Sequence, residues 1–78
     1  MKKLFLLGTS GCHLCEDAAK LLAKFTNIDI EVHDIMNNED WLEKYAIRIP
    51  VLYDPNSQAE LGWRFDEDDI TNFIIGLK

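Results

Sequence analysis

Thr9-Ser10-Gly11-Cys12-His13-Leu14-Cys15 is the stretch that decides the fold. It separates two hydrophobic periods. Before it, residues 3–7 carry the apolar run Leu4-Phe5-Leu6-Leu7, which stops at Gly8; a continuous run of this kind fits a strand covered on both faces. After it, Leu14, Ala18, Leu21, Leu22 and Phe25 recur at i, i+4, i+7, i+8 and i+11. That spacing predicts an amphipathic helix from Cys12 to about Phe25. The two cysteines therefore stand where a strand and a short loop pass into a helix.

This position bears on their chemistry. The first turn of a helix has unpaired N–H groups and the positive end of the helix dipole, and both stabilise an anion. A thiolate is such an anion, and it is the nucleophilic form of cysteine. Cys12, at the cap or first helical position, gains most and is the candidate attacking group. Cys15 shares a helix face with Ala18 and Leu22, so it is predicted to turn towards the sheet and act as the resolving thiol. An exposed Cys12 beside a covered Cys15 is the expectation. His13 is the candidate tuning residue, since an imidazolium there favours the thiolate, whereas Glu16 and Asp17 oppose it. The balance predicts a moderate depression of the Cys12 pKa and a potential within roughly −270 to −120 mV. Two alternatives stay open: inert core cysteines, or half of a zinc site. Structural zinc asks for four ligands, and the two histidines, His13 and His33, suit that poorly because His13 adjoins Cys12.

The remaining elements follow from patterning. Ile28, Ile30 and Val32 alternate with Asp29, Glu31 and His33, which predicts a strand with one exposed side, parallel to the first through the intervening helix. Asn37-Asn38-Glu39-Asp40 reads as a capped helix start, and Trp41, Leu42 and Tyr45 give that helix an apolar side. Ile47-Arg48-Ile49-Pro50-Val51-Leu52-Tyr53 reads as a strand interrupted by Pro50, which cannot donate to a ladder. Asp54-Pro55-Asn56-Ser57 is a turn, and Ala59 to Leu61 can return as an antiparallel strand. Asp66 is a good N-cap, followed by Glu67, Asp68 and Asp69; Phe65 and Ile70 can form a hydrophobic staple. The order is β-α-β-α-β-β-α, an α/β fold with a four-stranded mixed sheet between helical layers.

The chain has 78 residues, with 47% hydrophobic and 28% charged, which fits one globular domain over 1–78 that needs no staple. Eight Lys and Arg against 14 Asp and Glu leave a formal net charge of −6. That argues against nucleic acid and gives no attraction to anionic membranes. The apolar run at residues 4–7 falls short of the roughly 7–15 residues of a signal peptide and the ~20 of a membrane helix. A cytoplasmic location is expected, where a permanent disulfide is unusual and a close cysteine pair points to redox work or metal binding. No feature suggests oligomerisation, so a monomer is expected.

The chain resembles the thioredoxin-fold proteins, and most of all the short glutaredoxin-like family. The residues that carry the likeness are Thr9 to Cys15, Arg48-Ile49-Pro50-Val51 and the acidic-capped last helix, so it spans essentially the whole chain. The resemblance implies a three-layer α/β/α sandwich and thiol–disulfide exchange through Cys12 and Cys15. It implies a cis Pro50 packed against the cysteines. It also implies substrate binding at Ile49, whose backbone N–H and C=O would receive an extended segment by strand addition. Two departures bear on glutathione. Thr9, Ser10 and Gly11 supply no charge before Cys12, and Gly62-Trp63 stands where the glutathione-using members have Gly-Gly. No bound cofactor is expected, and glutathione remains an open candidate for the reductant.

The leading functional expectation is a cytosolic oxidoreductase that reduces protein disulfides and is recharged by a reductase or by glutathione. A carrier of zinc or an iron–sulfur cluster, or an adaptor of the same fold whose cysteines do not turn over, is the alternative.

Overall fold

Leu4 to Leu7 become an interior strand because both of their faces are covered. In the computed structural model, which describes residues 2–77, the strands are β1 (Lys2–Gly8), β2 (Ile28–Asp34), β3 (Val51–Tyr53) and β4 (Glu60–Gly62). The helices are α1 (His13–Leu22), α2 (Glu39–Tyr45) and α3 (Glu67–Gly76), with a 3₁₀ turn at Ile35–Asn37. The sheet order is β2-β1-β3-β4. β2 runs parallel to β1, with Leu6 opposite Val32 and Gly8 opposite Asp34. β3 is antiparallel to β1, with Leu7 opposite Val51, and β4 closes an antiparallel hairpin with β3.

Alternation along β1 splits the core in two. Leu4 and Leu6 join Ala18 and Leu22 of α1, Ile70 of α3, and Leu52 and Phe65. Leu7, on the opposite face, joins Ile35, Tyr45 and Val51, with Trp41 and Leu42 of α2 packed alongside. The result is a thioredoxin-like α/β/α arrangement, with α1 and α3 on one side and α2 on the other. The caps follow the sequence reading. Asn38 accepts the Trp41 N–H at 3.1 Å. Asp66 and Asp69 form a reciprocal capping box, and the staple residues Phe65 and Ile70 are both buried.

Apart from the cysteines, the elements depart from the sequence reading at several points. α1 ends at Leu22 rather than near Phe25, and its buried line is Cys15, Ala18 and Leu22. Leu14, expected on the apolar stripe, is exposed, because the helix turns Cys15 rather than Leu14 onto the sheet. Val32 was expected to share the buried side of β2 with Ile28 and Ile30, yet it is 67% exposed; Ile28 is the one buried residue of this strand, which among the described residues pairs with a neighbour on one side alone. The segment read as a strand from Ile47 is a continuation of α2's last turn, since the Arg48 and Ile49 N–H groups both donate to the Tyr45 carbonyl. Ile47 is consequently open to solvent and β3 starts only after Pro50.

Candidate active site

The Cys12 side chain accepts the Cys15 N–H at 3.1 Å, so the sulfur itself serves as the N-cap of α1. A sulfur that receives a backbone N–H at the positive end of a helix is set up to carry negative charge. Cys12 is half-buried rather than exposed, its sulfur being turned in to the Cys15 N–H and the Cys15 sulfur. Cys15 is 8% exposed. The two are joined as a disulfide with Cα atoms 5.2 Å apart, inside the usual range of about 4.4–6.8 Å. The His13 ring is turned along the helix, with Nδ1 4.0 Å from Glu16 and Nε2 3.8 Å from Asp17.

Gly8 is a site residue that the sequence marked only as the end of a run. A Cβ built there would stand 2.9 Å from Cys15 Sγ and 3.1 Å from its Cβ. The last residue of β1 must therefore lack a side chain for Cys15 to sit where it does. Gly8→Ala is expected to cost about 1–3 kcal/mol by overpacking and to slow closure of the Cys12–Cys15 disulfide. Thermal unfolding and stopped-flow oxidation of the reduced protein read the two effects. An unchanged closure rate would show that Cys15 tolerates displacement.

On the other side of the dithiol, the Ile49–Pro50 bond is cis. Pro50 is buried, and its carbonyl accepts the Trp63 N–H at 3.0 Å. Since Leu7 pairs with Val51, Pro50 lies at the same end of the sheet as Gly8 and the cysteines. The Ile49 N–H is already taken by the Tyr45 carbonyl at 3.1 Å, whereas its own carbonyl accepts no backbone bond among the described residues. Of the two groups expected to meet a substrate strand, only the acceptor is free in this conformation.

A polar cluster braces this loop from below. Glu60 of β4 accepts the Tyr45 hydroxyl proton and pairs with Arg48 at 2.6 Å and Lys44 at 3.7 Å. The Tyr45 bond, helped by Arg48 and opposed by burial, holds the Glu60 carboxyl below its ordinary range. Burial, together with Glu60, pushes the Tyr45 phenol up to about 12. Local sequence patterning does not show the Arg48–Glu60 pairing, because the two residues are twelve apart and meet only through the fold.

Among the described residues no cluster of three or more His, Cys, Asp or Glu stands ready to hold a metal. No described helix is long and apolar enough to cross a membrane.

A cysteine pair capping the first long helix of a four-stranded α/β/α sandwich defines a thioredoxin-fold module of redox type. A family model described as glutaredoxin-like domain (DUF836) matches residues 3–75, and the chain belongs to that family. Solved structures agree. The X-ray structure of Northeast Structural Genomics target protein XcR50 from X. campestris is 29% identical, with 96% of this chain and 99% of that one covered at a TM-score of 0.85. The solution structure of the same target aligns at a TM-score of 0.80, with 29% identity, 96% of this chain and 95% of that one covered. Protein Ne2328 from Nitrosomonas europaea, solved by solution NMR, is 36% identical over 92% of this chain and 89% of its own, with a TM-score of 0.74. No curated protein matches the chain.

Proposed function

We propose that the chain is a dithiol oxidoreductase that reduces disulfides in protein substrates. The observation that carries this reading is the asymmetry of the pair: Cys12 Sγ caps α1 and holds the Cys15 N–H, while Cys15 is covered beneath it and within bonding reach. The Cys12 thiolate bonds to one sulfur of the substrate disulfide, the substrate S–S bond breaks, and the second sulfur leaves as a thiolate. Cys15 then bonds to Cys12 Sγ and expels the first substrate sulfur, its own proton ending on a released thiolate. Two electrons pass to the substrate, and the chain is left as the Cys12–Cys15 disulfide. Glutathione or a dithiol reductase returns the electrons, and a reducing compartment such as the cytosol suits that cycle.

In this reading Pro50 and the free Ile49 carbonyl receive one side of the substrate chain, with Arg48, Tyr45 and Glu60 bracing the loop. His13, next to Cys12 in sequence and facing Glu16 and Asp17, is the candidate tuning residue.

The test is a titration in reduced and oxidised glutathione buffers, quenched by alkylation and read by intact mass. The expected result is a reversible loss of both thiols together, with a midpoint inside roughly −270 to −120 mV. Adducts that stop at Cys12 would favour a carrier or monothiol role, and no change across the range would remove the oxidoreductase reading.

A further inference from the structure

A groove of about 490 Å³ opens beside the sulfurs, in the size range of sites that hold small ligands or short segments. Cys12, Cys15, Glu16 and Ala19 form one wall, and Val32, His33 and Asp34 of β2 form the other. The sheet order β2-β1-β3 puts this groove and Pro50 on opposite sides of β1, so it is distinct from the Ile49–Pro50 surface.

Three features describe what fits it. Among the described residues β2 is an edge strand, with backbone groups on its outer side that pair with no other described strand. Val32 is a large apolar side chain left 67% exposed opposite Ala19. The charged residues of the walls are Glu16 and Asp34, and among the described residues no lysine or arginine lines the groove.

We propose that this groove binds the part of a protein substrate that lies on the far side of its reacting cysteine from Pro50. The segment adds along the outer edge of β2, with an apolar residue against Val32 and a basic residue facing Glu16 and Asp34. The proposal rests on the oxidoreductase reading and adds no chemical step to it. It makes disulfides flanked by basic and apolar residues the substrate class, and it sets anionic disulfides such as oxidised glutathione at a disadvantage.

The test uses the reduced full chain in single turnover with three probes. One is neutral 2-hydroxyethyl disulfide. The others are disulfide-linked dimers of the end-capped peptides Lys-Leu-Cys-Leu-Lys and Glu-Leu-Cys-Leu-Glu. Each peptide rate is divided by the 2-hydroxyethyl disulfide rate of the same variant, which cancels changes in the thiolate itself. The lysine peptide is expected to exceed the glutamate peptide about tenfold at low salt, with the gap closing as salt screens the charges. Val32→Arg should reduce that preference to about twofold or less, and Val32→Ser should lower the normalised lysine-peptide rate about threefold. Asp68→Asn changes net charge by the same amount at the exposed start of α3 and should leave the preference intact. Equal rates for the two peptides, or an equal loss of preference in Asp68→Asn and Val32→Arg, would overturn the groove while exchange continued. Failure to exchange with any probe, 2-hydroxyethyl disulfide included, would overturn the oxidoreductase reading and the groove with it.

Discussion

Cys12→Ser is expected to drop disulfide exchange to the uncatalysed background, whereas Cys15→Ser is expected to retain the first chemical step and accumulate a mixed disulfide on Cys12. The two cysteines differ in setting, not in type. Cys12 Sγ is held at the mouth of α1 by the Cys15 N–H and lies in the wall of the groove. Cys15 lies deeper, against Gly8. A serine at 12 cannot supply a thiolate at neutral pH, so no attack begins. A serine at 15 leaves the attack intact and removes the sulfur that would resolve it. Incubation of each variant with a disulfide-bonded protein, followed by non-reducing mass analysis, distinguishes them. Near-stoichiometric adduct is expected for Cys15→Ser and none for Cys12→Ser. Equal trapping through Cys15 in the Cys12→Ser variant would reverse the assignment of roles.

The largest expected effect on stability comes from a residue far from the cysteines. Asp54 follows β3, is fully buried and has its carboxylate enclosed by donors. It accepts the Asn56 N–H at 3.1 Å, the Ser57 N–H at 3.3 Å and the Ser57 hydroxyl at 2.6 Å, and it pairs with Lys2 at 3.3 Å. Its main-chain groups meet Gln58 and Ala59, so the whole β3–β4 turn is organised around one side chain. Removing it leaves three donors of the turn and a half-buried lysine without their shared partner. Asp54→Ala is therefore expected to cost about 2–4 kcal/mol, against a total of about 4–12 kcal/mol for a chain of this length. The unfolding temperature should fall by roughly 10–20 °C. Asp54→Asn keeps an acceptor oxygen and should lose less. An unaltered unfolding temperature in Asp54→Ala would mean that the turn forms without its carboxylate.

Asp54 also sets a pH dependence. Burial alone would raise its pKa, but the Ser57 hydroxyl, the Asn56 N–H and Lys2 together outweigh that and hold the carboxyl below its ordinary range. The unfolded chain therefore takes up this proton first as pH falls. The stabilisation is present above about pH 4, the unfolded value, and is lost as the pH drops towards the lower folded value. Urea unfolding of wild type and Asp54→Asn across this window should show the wild-type advantage shrinking with acid. A constant difference between the two would exclude this linkage.

Periodicity and caps were sufficient to read the element order, the helix starts and the position of the cysteine pair at a helix mouth. These features depend on neighbours within a turn or two. The hydrogen bond to Cys12, the Asn38 cap and the Asp66–Asp69 box each span three residues. The burial of Cys15 was legible for the same reason, since it shares a helix face with Ala18 and Leu22. Tertiary structure decided the rest. Val32 has the same local pattern as Ile30, but only the sheet order makes β2 an edge and opens a groove beside it. Gly8 looked like the end of a strand until α1 folded back and brought Cys15 onto it. Asp54 had the signature of an exposed turn, and Glu60 that of an ordinary strand residue. Lys2 and Tyr45, each brought in from a distant part of the chain, made one a buried anchor and the other a brace. Local spacing determines which side chains share a face; which faces meet, and which are left open, depends on contacts that close only when the whole chain has folded.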